Sequence, residues 1–373
     1  MYKEEAFSCQ RDELTIRGVA LIPEEKTDTA IILSHGFMDS ASGTLPYGKQ
    51  FCQEGFAAYC FNFCGGGLKG NSDGETTKMS VFTEVEDLNA VIEHVKKQGY
   101  EKIILAGFSQ GGFVSAITAA QRDDIEKLIL VYPALCIPDD ARKGRMMFAK
   151  FDPENIPELI KCGPMKLGRC YPESVIDKDP YELIRNYKNE VLIIHGSNDR
   201  IVNLSYSQKA AEEYGDNCTL KTILGGGHGF KKAHDQIAIF HMKQFLKGKK
   251  EVLTVDVNLT GRKIERKGSR SIITLPFNGK ASSPYFQGEI QDGAADVQEW
   301  AFLKMLKACA DYRIKGKDFE GKDCEIHVVN SNDGEKWKPV LKTDSEALSY
   351  LNEADCETIL ENRKKGPIVH IYC

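Results

Sequence analysis

The sequence predicts an α/β fold with a mainly parallel sheet, followed by a second domain that is mostly β. Three observations support this fold class. Apolar, strand-like runs alternate with helical patterns over residues 1–248, which is the order of a parallel sheet covered by helices. Several of those runs are continuously apolar, as expected of strands buried on both faces. After residue 250 the pattern changes to short alternating runs separated by turn residues.

The first domain, residues 1–248, carries six predicted strands. They are TAIILS (29–34), AAYCFNF (57–63), KIILAGF (102–108), KLILVY (127–132), EVLIIHG (190–196) and CTLKTIL (218–224). Helical patterns lie after Ser109 and at residues 83–99, 205–215 and 231–248. In the clearest of these, Thr83 and Glu86 predict a capping box at the start, and Gly99 predicts the end.

Residues 134–182 interrupt the alternation of strands and helices. This segment is richer in Pro and Cys than its surroundings and lacks a clear period. A plain connection of that length is uncommon inside a compact domain. We therefore interpret residues 134–182 as a cap inserted over the sheet.

The second domain, residues 251–373, follows the charged run from Lys247 to Lys250. Its predicted strands are EVLTVDVNL, RSIITLPF, PYFQGEI, ADYRIKGKDF, CEIHVVNSNDG and GPIVHIY. Only QEWAFLKMLKA (298–308) and DSEALSYLNEA (344–354) have a helix-like pattern. We interpret this domain as a barrel or a curved sheet.

Composition excludes several classes of protein. A length of 373 residues favours two domains, and a net charge of −5 provides no basic footprint for nucleic acid. No apolar run reaches the ~20 residues needed to span a bilayer, and the N-terminus is charged where a signal peptide is apolar. We therefore expect a cytoplasmic protein with no membrane partner. The 12 cysteines form no Cys-x-x-Cys pair, so we interpret them as free, mostly buried thiols and expect no metal.

Ser109 is the candidate nucleophile. It lies in GFSQGG, directly after an apolar strand and directly before the helical segment GGFVSAITAAQ. This strand, tight turn and helix are the context that a G-x-S-x-G nucleophile elbow requires. A serine hydroxyl is a weak nucleophile unless a base and an orienting acid reach it, so both partners must come from elsewhere in the chain.

His228 is the candidate base. Of the eight histidines, it alone lies on a glycine-rich loop just past a late strand, in ILGGGHGFKK. His195 ends an apolar strand and is interpreted as structural. The candidate acid is Asp199, in GSND after the preceding strand, where a turn or helix-capping role is the alternative. Asp216 and Asp235 are rivals, but one follows a helix and the other lies within one.

Two backbone amides are candidates for an oxyanion hole. The residue after the nucleophile, Gln110, offers one N–H, and Phe37 in the loop SHGF offers the second. We interpret His35 as part of the turn that aims Phe37 and not as a second base. The glycine-rich segment 64–74 lacks the Gly-Lys-Ser/Thr ending of a nucleotide loop, so we favour a loop near the site over a phosphate site.

Seven short motifs together resemble the cinnamoyl (feruloyl) esterases of the α/β-hydrolase superfamily. They are SHGF, FCGGG, SDG, MSVFTEVEDL, GFSQGG, VLIIHGSNDRIV and GGGHGF, and the resemblance covers about residues 10–248, cap included. It implies an α/β-hydrolase fold in which Ser109, Asp199 and His228 form the triad. It also implies that Phe37 and Gln110 form the oxyanion hole.

The same resemblance implies where an aromatic substrate binds. Relatives hold a phenolic ring under the cap with an acidic residue and a tyrosine, which by position would be Asp140 and Tyr171. A plain helix cap is the alternative for Asp140. The second domain resembles a β-barrel family of unknown function, DUF3237, on the stretch from FNGKASSPYFQGEIQDGAADVQ to CEIHVVNSNDG. Its glycines Gly279, Gly288 and Gly293 are interpreted as barrel or turn positions.

The sequence therefore predicts a serine carboxylesterase that works through an acyl-enzyme and needs no cofactor, and the resemblance implies hydroxycinnamate esters as its substrates. The expected partner is a small aromatic ester, and homo-oligomer formation is left open. A broader short-chain esterase, lipase or thioesterase would use the same residues. A binding protein that uses the β domain is the alternative from another class.

Overall fold

The computed structural model describes all 373 residues, and these form two compact units, Met1–Lys243 and Gln244–Cys373. The first unit is built around an eight-stranded sheet in the order β1-β2-β4-β3-β5-β6-β11-β12. Its strands are β1 Tyr2–Arg11, β2 Leu14–Pro23, β3 Thr29–Ser34, β4 Ala57–Phe61, β5 Lys102–Phe108, β6 Ile125–Val131, β11 Glu190–Gly196 and β12 Cys218–Ile223. From β4 to β12 all pairings are parallel, so the carboxyl ends of these strands share one edge.

Helices cover this sheet because its central strands are apolar on both faces, and β3, β4 and β5 are almost entirely buried. The long helices are α1 Ala41–Gln53, α2 Val81–Lys97, α3 Gln110–Ala120, α7 Leu204–Tyr214 and α8 Lys232–Leu246. None of the helices in the protein is long and apolar enough to cross a membrane.

The insertion between β6 and β11 is a cap of short elements. It contains the helices α4 Ile137–Arg142, α5 Cys170–Val175 and α6 Pro180–Ile184. It also contains two small antiparallel hairpins, β7 Arg145–Met146 with β8 Ala149–Lys150, and β9 Leu159–Cys162 with β10 Met165–Gly168. These short pieces explain why the sequence of the cap shows no single period.

Two local predictions for the first unit need correction. Helix α2 is capped by Ser80 and not by Thr83: the Ser80 side chain accepts from Thr83 N–H, and Thr83 Oγ1 accepts from Ser80 N–H at 2.8 Å. The helix therefore begins at Val81, one turn earlier than the pattern suggested. The antiparallel β1–β2 hairpin escaped prediction because β1 is a largely exposed edge strand with little apolar sequence.

The second unit is mostly strands. They are β13 Glu251–Leu259, β14 Lys263–Lys267, β15 Arg270–Ser282, β16 Phe286–Ile290, β17 Ala295–Ala301, β18 Lys304–Asp318, β19 Asp323–Asn332, β20 Trp337–Thr343, β21 Glu357–Glu361 and β22 Ile368–Tyr372. They pair in the order β20-β19-β18-β16-β15-β13-β22-β21, and β17 also pairs with β15 and β18. Because β20 and β21 also lie side by side, the sheet closes into a small barrel with an apolar interior.

Two further predictions for the second unit are wrong. Residues 298–308 are not helical but form a β17–β18 hairpin, because Phe302 and Leu303 are an exposed two-residue turn and Phe302 has a φ of 53°. Nor are all cysteines free, since Cys356 and Cys373 form a disulfide across a separation of 17 residues. The other ten cysteines are free.

Candidate active site

Ser109 lies at the carboxyl end of β5, at the turn into α3. Its backbone has φ 53° and ψ −119°, a conformation that costs a non-glycine residue about 1–3 kcal/mol. The surrounding structure holds it there: Ser109 N–H donates to Val131 O at 2.9 Å, and Ser109 O accepts from Ala134 N–H at 2.9 Å. These two hydrogen bonds fix the backbone of the strained turn on both sides of the Ser109 side chain.

The glycines on both sides of Ser109 are required by close backbone packing. A Cβ on Gly111 would lie 2.3 Å from the carbonyl oxygen of His35 and 2.4 Å from that of Ser34. A Cβ on Gly107 would lie 2.3 Å from Gly111 O. Helix α3 can therefore pack tightly against the ends of β3 and β5 only when both positions lack a side chain.

The fold brings the three predicted triad residues together from three different loops. Ser109 Oγ lies 2.9 Å from His228 Nε2, and His228 Nδ1 lies 2.8 Å from Asp199 Oδ2. Asp199 follows β11 and His228 follows β12, which are parallel neighbours, so both loops reach the same sheet edge as Ser109. Tyr132 covers one face of the His228 ring, with centroids 4.6 Å apart.

The side chain of Asp199 is completely buried, and both of its carboxylate oxygens are hydrogen-bonded. Its Oδ1 accepts from the N–H groups of Ile201 and Val202, both at 2.9 Å. Its Oδ2 contacts both His228 and His195, the latter at 3.2 Å. Burial alone would raise the pKa of Asp199, but hydrogen bonds from His195, His228 and Val202 outweigh it and lower that pKa below its ordinary value. The carboxylate is therefore held ionised beside the imidazole.

His195 is a site residue that the sequence did not reveal as one. It is fully buried at the end of β11, with Nδ1 2.7 Å from Ser207 Oγ and Nε2 3.0 Å from Val202 O. The same Nε2 lies against Asp199, so the structural role predicted for His195 includes support of the candidate acid. The only feature of the sequence that could have indicated this contact is that Asp199 lies four residues after His195.

Phe37 and Gln110, the two candidates for the oxyanion hole, both lie beside Ser109 in one cavity. The Cα of Gly36 packs so close that a Cβ there would lie 3.1 Å from Ser109 Cβ. Neither amide donates to another group of the chain. Both N–H groups are thus free to donate to an oxygen atom bound next to Ser109.

His35 is part of the turn that carries Phe37. Its Nε2 accepts from Phe63 N–H at 3.1 Å, so the ring proton resides on Nδ1, which donates to Gly36 O at 2.8 Å. Burial lowers the pKa of His35, which keeps this buried imidazole neutral. Both ring nitrogens are occupied, in line with a structural role.

A buried hydrogen-bond chain fixes the side chain of Gln110. Its Nε2 donates to Glu84 Oε2 at 2.8 Å, and its Oε1 accepts from the hydroxyl of Tyr171. All three residues are buried. Burial, opposed by the Gln110 hydrogen bond and reinforced by the nearby Asp87, raises the pKa of Glu84 well above its ordinary value. Glu84 was not predicted as a site residue. It lies 26 residues from Gln110, and its sequence context is that of an ordinary polar residue on a helix.

The cavity beside Ser109 is enclosed by the cap. Its apolar walls come from the sheet edge and from the insertion, and it is lined by Phe37, Ser109, Gln110, Ala134, Cys136, Ile137, Asp140, Met146, Met147, Leu167, Tyr171, Ile201 and Val202. Asp140 is half-buried in the first turn of α4, and the N-cap position of that helix is Cys136, so Asp140 is not the helix cap. Burial raises the pKa of Asp140. Tyr171 lies in the wall, with its hydroxyl directed to Gln110.

The other sequence candidates lie in structural contacts. Asp235 accepts from the Tyr47 hydroxyl at 2.5 Å, and Asp216 lies in a 3-10 turn. In the glycine-rich segment, Asp73 pairs with Arg17 at 2.7 Å and Ser72 Oγ accepts from Arg17 N–H at 2.8 Å. The segment is therefore bound to β2, as a structural loop. No group of three or more His, Cys, Asp or Glu side chains is arranged to hold a metal ion.

The sheet order and the strand–turn–helix at Ser109 define an α/β-hydrolase, and comparisons with known proteins agree. The family model described as serine aminopeptidase, S33, of the Hydrolase_4 group, matches residues 25–172. A structure of Est1E from Butyrivibrio proteoclasticus with bound ferulic acid is similar at 27% identity and a TM-score of 0.60, over 65% of this chain and 98% of that one. The first unit thus has the α/β-hydrolase fold.

More distant structures show the same fold. DcsB in complex with its substrate analogue is 21% identical, with a TM-score of 0.53 over 66% of this chain and 99% of that one. An esterase from Pyrococcus furiosus is 17% identical, with a TM-score of 0.51 over 66% of this chain and 91% of that one. No curated protein matches the chain.

Proposed function

We propose that the protein is a serine carboxylesterase that cleaves esters of hydroxycinnamic acids through an acyl-enzyme. The observation that carries the proposal is the continuous line of contacts from Ser109 Oγ to His228 Nε2 at 2.9 Å and from His228 Nδ1 to Asp199 at 2.8 Å. A nucleophile with its base in reach, and that base oriented by a carboxylate, is the arrangement that activates serine for acyl transfer.

In the first half of the reaction, Ser109 Oγ attacks the ester carbonyl carbon while His228 Nε2 takes the hydroxyl proton. The carbonyl oxygen becomes an oxyanion and accepts hydrogen bonds from the N–H groups of Phe37 and Gln110. Asp199 stabilises the imidazolium that forms. When the tetrahedral intermediate collapses, the C–O bond to the alcohol breaks, and His228 delivers its proton to the leaving oxygen.

In the second half, His228 removes a proton from a water molecule, which attacks the acyl carbon. A second oxyanion forms on the same two amides. Its collapse breaks the bond to Ser109, and His228 returns the proton to the serine oxygen. The free acid leaves and the starting state is restored without any cofactor.

The aromatic part of the proposal rests on the cavity under the cap. Its walls are mostly apolar and include the rings of Phe37 and Tyr171, whose centroids are 6.0 Å apart and which offer contacts to an aromatic acyl group. Asp140 offers a half-buried carboxyl group that can accept a hydrogen bond from a phenol. Est1E, the relative whose structure contains ferulic acid, supports the same assignment by similarity.

The family description favours a second candidate, an aminopeptidase. In an aminopeptidase, the Asp140 carboxylate would bind the amino terminus of a peptide, and Ser109 would attack the first peptide bond. The two candidates use the same triad and differ in what the cap recognises. Short-chain esters and thioesters are further substrates that the triad could cleave without help from Asp140.

Rates of hydrolysis of methyl ferulate, chlorogenate, p-nitrophenyl acetate and leucine p-nitroanilide test the proposal. We expect the two cinnamate esters to have the highest kcat/KM, and Ser109→Ala to abolish turnover of all esters. Ser115→Ala is the matched control, because Ser115 is buried on the same helix with no hydrogen-bond partner.

Each outcome decides between the candidates. Fastest cleavage of the anilide would replace the esterase with an aminopeptidase. Activity on p-nitrophenyl acetate alone would keep the mechanism and remove the cinnamate assignment. Equal ester hydrolysis by wild type and Ser109→Ala would refute the triad.

A further inference from the structure

The β-barrel of the second unit contains an internal cavity of about 220 Å³. We call it the barrel cavity, and its walls are mostly apolar. It is lined by Val257, Leu259, Leu275, Phe277, Asp296, Gln298, Ala310, Tyr312, Asn330, Trp337, Leu360, Asn362, Arg363, Gly366, Pro367 and Val369. All these residues belong to the second unit, so the cavity is separate from the site at Ser109.

Three polar atoms of the barrel cavity have no hydrogen-bond partner. They are Asp296 Oδ1, the Tyr312 hydroxyl and Asn330 Oδ1. Tyr312 is 4% exposed and Asn330 is 3% exposed. Buried polar atoms are almost always paired, so three unpaired ones around one cavity indicate a ligand that would pair with them.

The strand register places these groups side by side. Asp296 on β17 is opposite Ala310 on β18, and Ala310 is opposite Asn330 on β19. The small side chain of Ala310 leaves space between the two polar ones. Tyr312 lies two residues further along β18, on the same inward face. The sheet thus presents two acceptors and one hydroxyl in a single cluster.

Neighbouring side chains hold Asp296 in place. Gln298 Nε2 donates to Asp296 Oδ2 at 2.6 Å, and Trp300 Nε1 donates to Gln298 Oε1 at 2.9 Å. These bonds occupy one carboxyl oxygen and leave the other, Oδ1, for the cavity. A side chain supported in this way is positioned before any ligand binds.

Water does not account well for the barrel cavity. One water occupies about 10–15 Å³ and needs two to four polar partners, so filling a cavity of about 220 Å³ with water would require many more polar partners than the walls offer. The three unpaired groups are clustered at one place. Of the other lining residues, Gln298 donates to Asp296 and Arg363 donates to Asp256 and Gly366 O. Apart from these two and Asn362, the remaining walls are apolar. A body that is apolar over most of its surface and polar at one end fits this distribution better.

We propose that the barrel cavity binds a small neutral phenol. The phenol hydroxyl donates to Asp296 Oδ1 or Asn330 Oδ1 and accepts from the Tyr312 hydroxyl. The aromatic ring packs among Phe277, Trp337 and Leu275. Beta-barrel interiors are a common place for such ligands, with a few polar groups setting orientation among apolar walls.

Tryptophan fluorescence of the full-length protein tests this proposal. The chain has only two tryptophans, Trp300 and Trp337, and both lie in the second unit. Both report on the barrel cavity, because Trp337 lines it and Trp300 donates to Gln298, which lines it as well. The probe is p-ethylphenol, and ethylbenzene is its matched analogue without the hydroxyl. We expect saturable quenching by p-ethylphenol and at least about tenfold weaker binding of ethylbenzene, equivalent to the loss of one good hydrogen bond.

Two substitutions separate ligand binding from structural support. Tyr312→Phe removes the unpaired hydroxyl, and Asn330→Leu removes the side-chain amide with its unpaired oxygen and keeps the branched shape of the side chain. We expect each to weaken p-ethylphenol binding about tenfold and to raise the Tm of the unliganded protein, because a buried unpaired group is lost. Tyr285→Phe, which changes a tyrosine outside the cavity, should alter neither. Ester hydrolysis should be unchanged in all three.

Several results would overturn the proposal. The first is no saturable quenching by p-ethylphenol up to its solubility limit. The second is equal affinity for ethylbenzene, which would make the cavity an apolar void. The third is unchanged p-ethylphenol binding in both Tyr312→Phe and Asn330→Leu. A fall in Tm in those variants together with unchanged binding would assign the two side chains to folding alone.

Discussion

His195 Nε2 lies 3.2 Å from Asp199 Oδ2, the same oxygen that His228 Nδ1 contacts at 2.8 Å. The candidate acid is therefore held by two histidines and by the N–H groups of Ile201 and Val202. Without these contacts, burial would favour a neutral Asp199, which could not stabilise the imidazolium. His195 thus acts through Asp199 and is a positioning residue.

Replacing His195 tests this relationship. His195→Leu removes the hydrogen bond to Asp199, and we expect kcat to fall about tenfold to a hundredfold, the value of one hydrogen bond to a charged group. KM for p-nitrophenyl acetate should be unchanged. His195→Gln keeps an N–H donor of similar reach and should restore most of kcat. A purely structural role would lower Tm in both variants and leave kcat per folded molecule as in wild type.

Asp140→Asn tests recognition of the aromatic acyl group. The change replaces the carboxylate with a weaker acceptor, so KM for methyl ferulate should rise about tenfold while turnover of p-nitrophenyl acetate is unchanged. Asp139→Asn is the control, since its carboxylate contacts Tyr206 and Arg142 instead of the cavity. Because burial raises the pKa of Asp140, the difference in KM between Asp140→Asn and wild type should grow as pH rises through that pKa. An Asp140→Asn enzyme with wild-type KM for methyl ferulate would remove Asp140 from the site.

Glu84 gives a prediction about pH and stability. Its folded-state pKa is raised above the unfolded value, so its contribution to the free energy of unfolding is complete below about pH 4.3 and declines as pH rises from there. Glu84→Gln cannot ionise and still offers an oxygen to Gln110. We therefore expect the variant to match wild type in acid and to be more stable at neutral pH, by urea unfolding at several pH values. A stability difference independent of pH would contradict this account.

Glu84 also has a consequence for catalysis. Glu84→Leu removes the acceptor for Gln110 Nε2, which lets the residue that carries a proposed oxyanion N–H shift. We expect kcat to fall about tenfold to a hundredfold, since small misplacements of positioned groups can have effects of that size. Glu84→Gln should retain kcat. Equal kcat in Glu84→Leu and Glu84→Gln would show that the contact does not matter for turnover.

Gly111→Ala tests the packing of the turn after Ser109. The new Cβ would lie 2.3 Å from His35 O, so α3 must move away from β3. Both Tm and kcat should fall, measured by thermal unfolding and ester hydrolysis. Gly227→Ala is the control, because a Cβ there meets nothing closer than Asn198 O at 3.8 Å. Normal activity in Gly111→Ala would show that the turn tolerates this shift.

Much of the fold could be predicted from the sequence, because the buried parallel strands are continuous apolar runs. Both ends of β3 and both ends of β5 coincide with the predicted limits. The β1–β2 hairpin could not be predicted, since an exposed edge strand carries no such run. The prediction of a helix at residues 298–308 was wrong, because the two exposed apolar residues of the hairpin turn give the segment the spacing expected of the apolar face of a helix.

The candidate site was predictable where chemistry depends on local sequence. Ser109, Asp199 and His228 each follow a strand, so chain order alone suggested that they meet at one edge. His195, Glu84 and the barrel-cavity cluster have no local signature, because their partners come from side chains that only the folded chain brings together. The roles of the triad and of the oxyanion residues remain predictions until activity is measured, as does the resemblance of the second unit to DUF3237.

Detection of the acyl-enzyme tests the central claim most directly. The protein is mixed with p-nitrophenyl acetate, quenched in acid within the first turnovers, digested and analysed by mass spectrometry. The account predicts one acetyl group per chain on the peptide that carries Ser109, and none in Ser109→Ala. An acetyl group on another residue, or labelling that persists in Ser109→Ala, would contradict it.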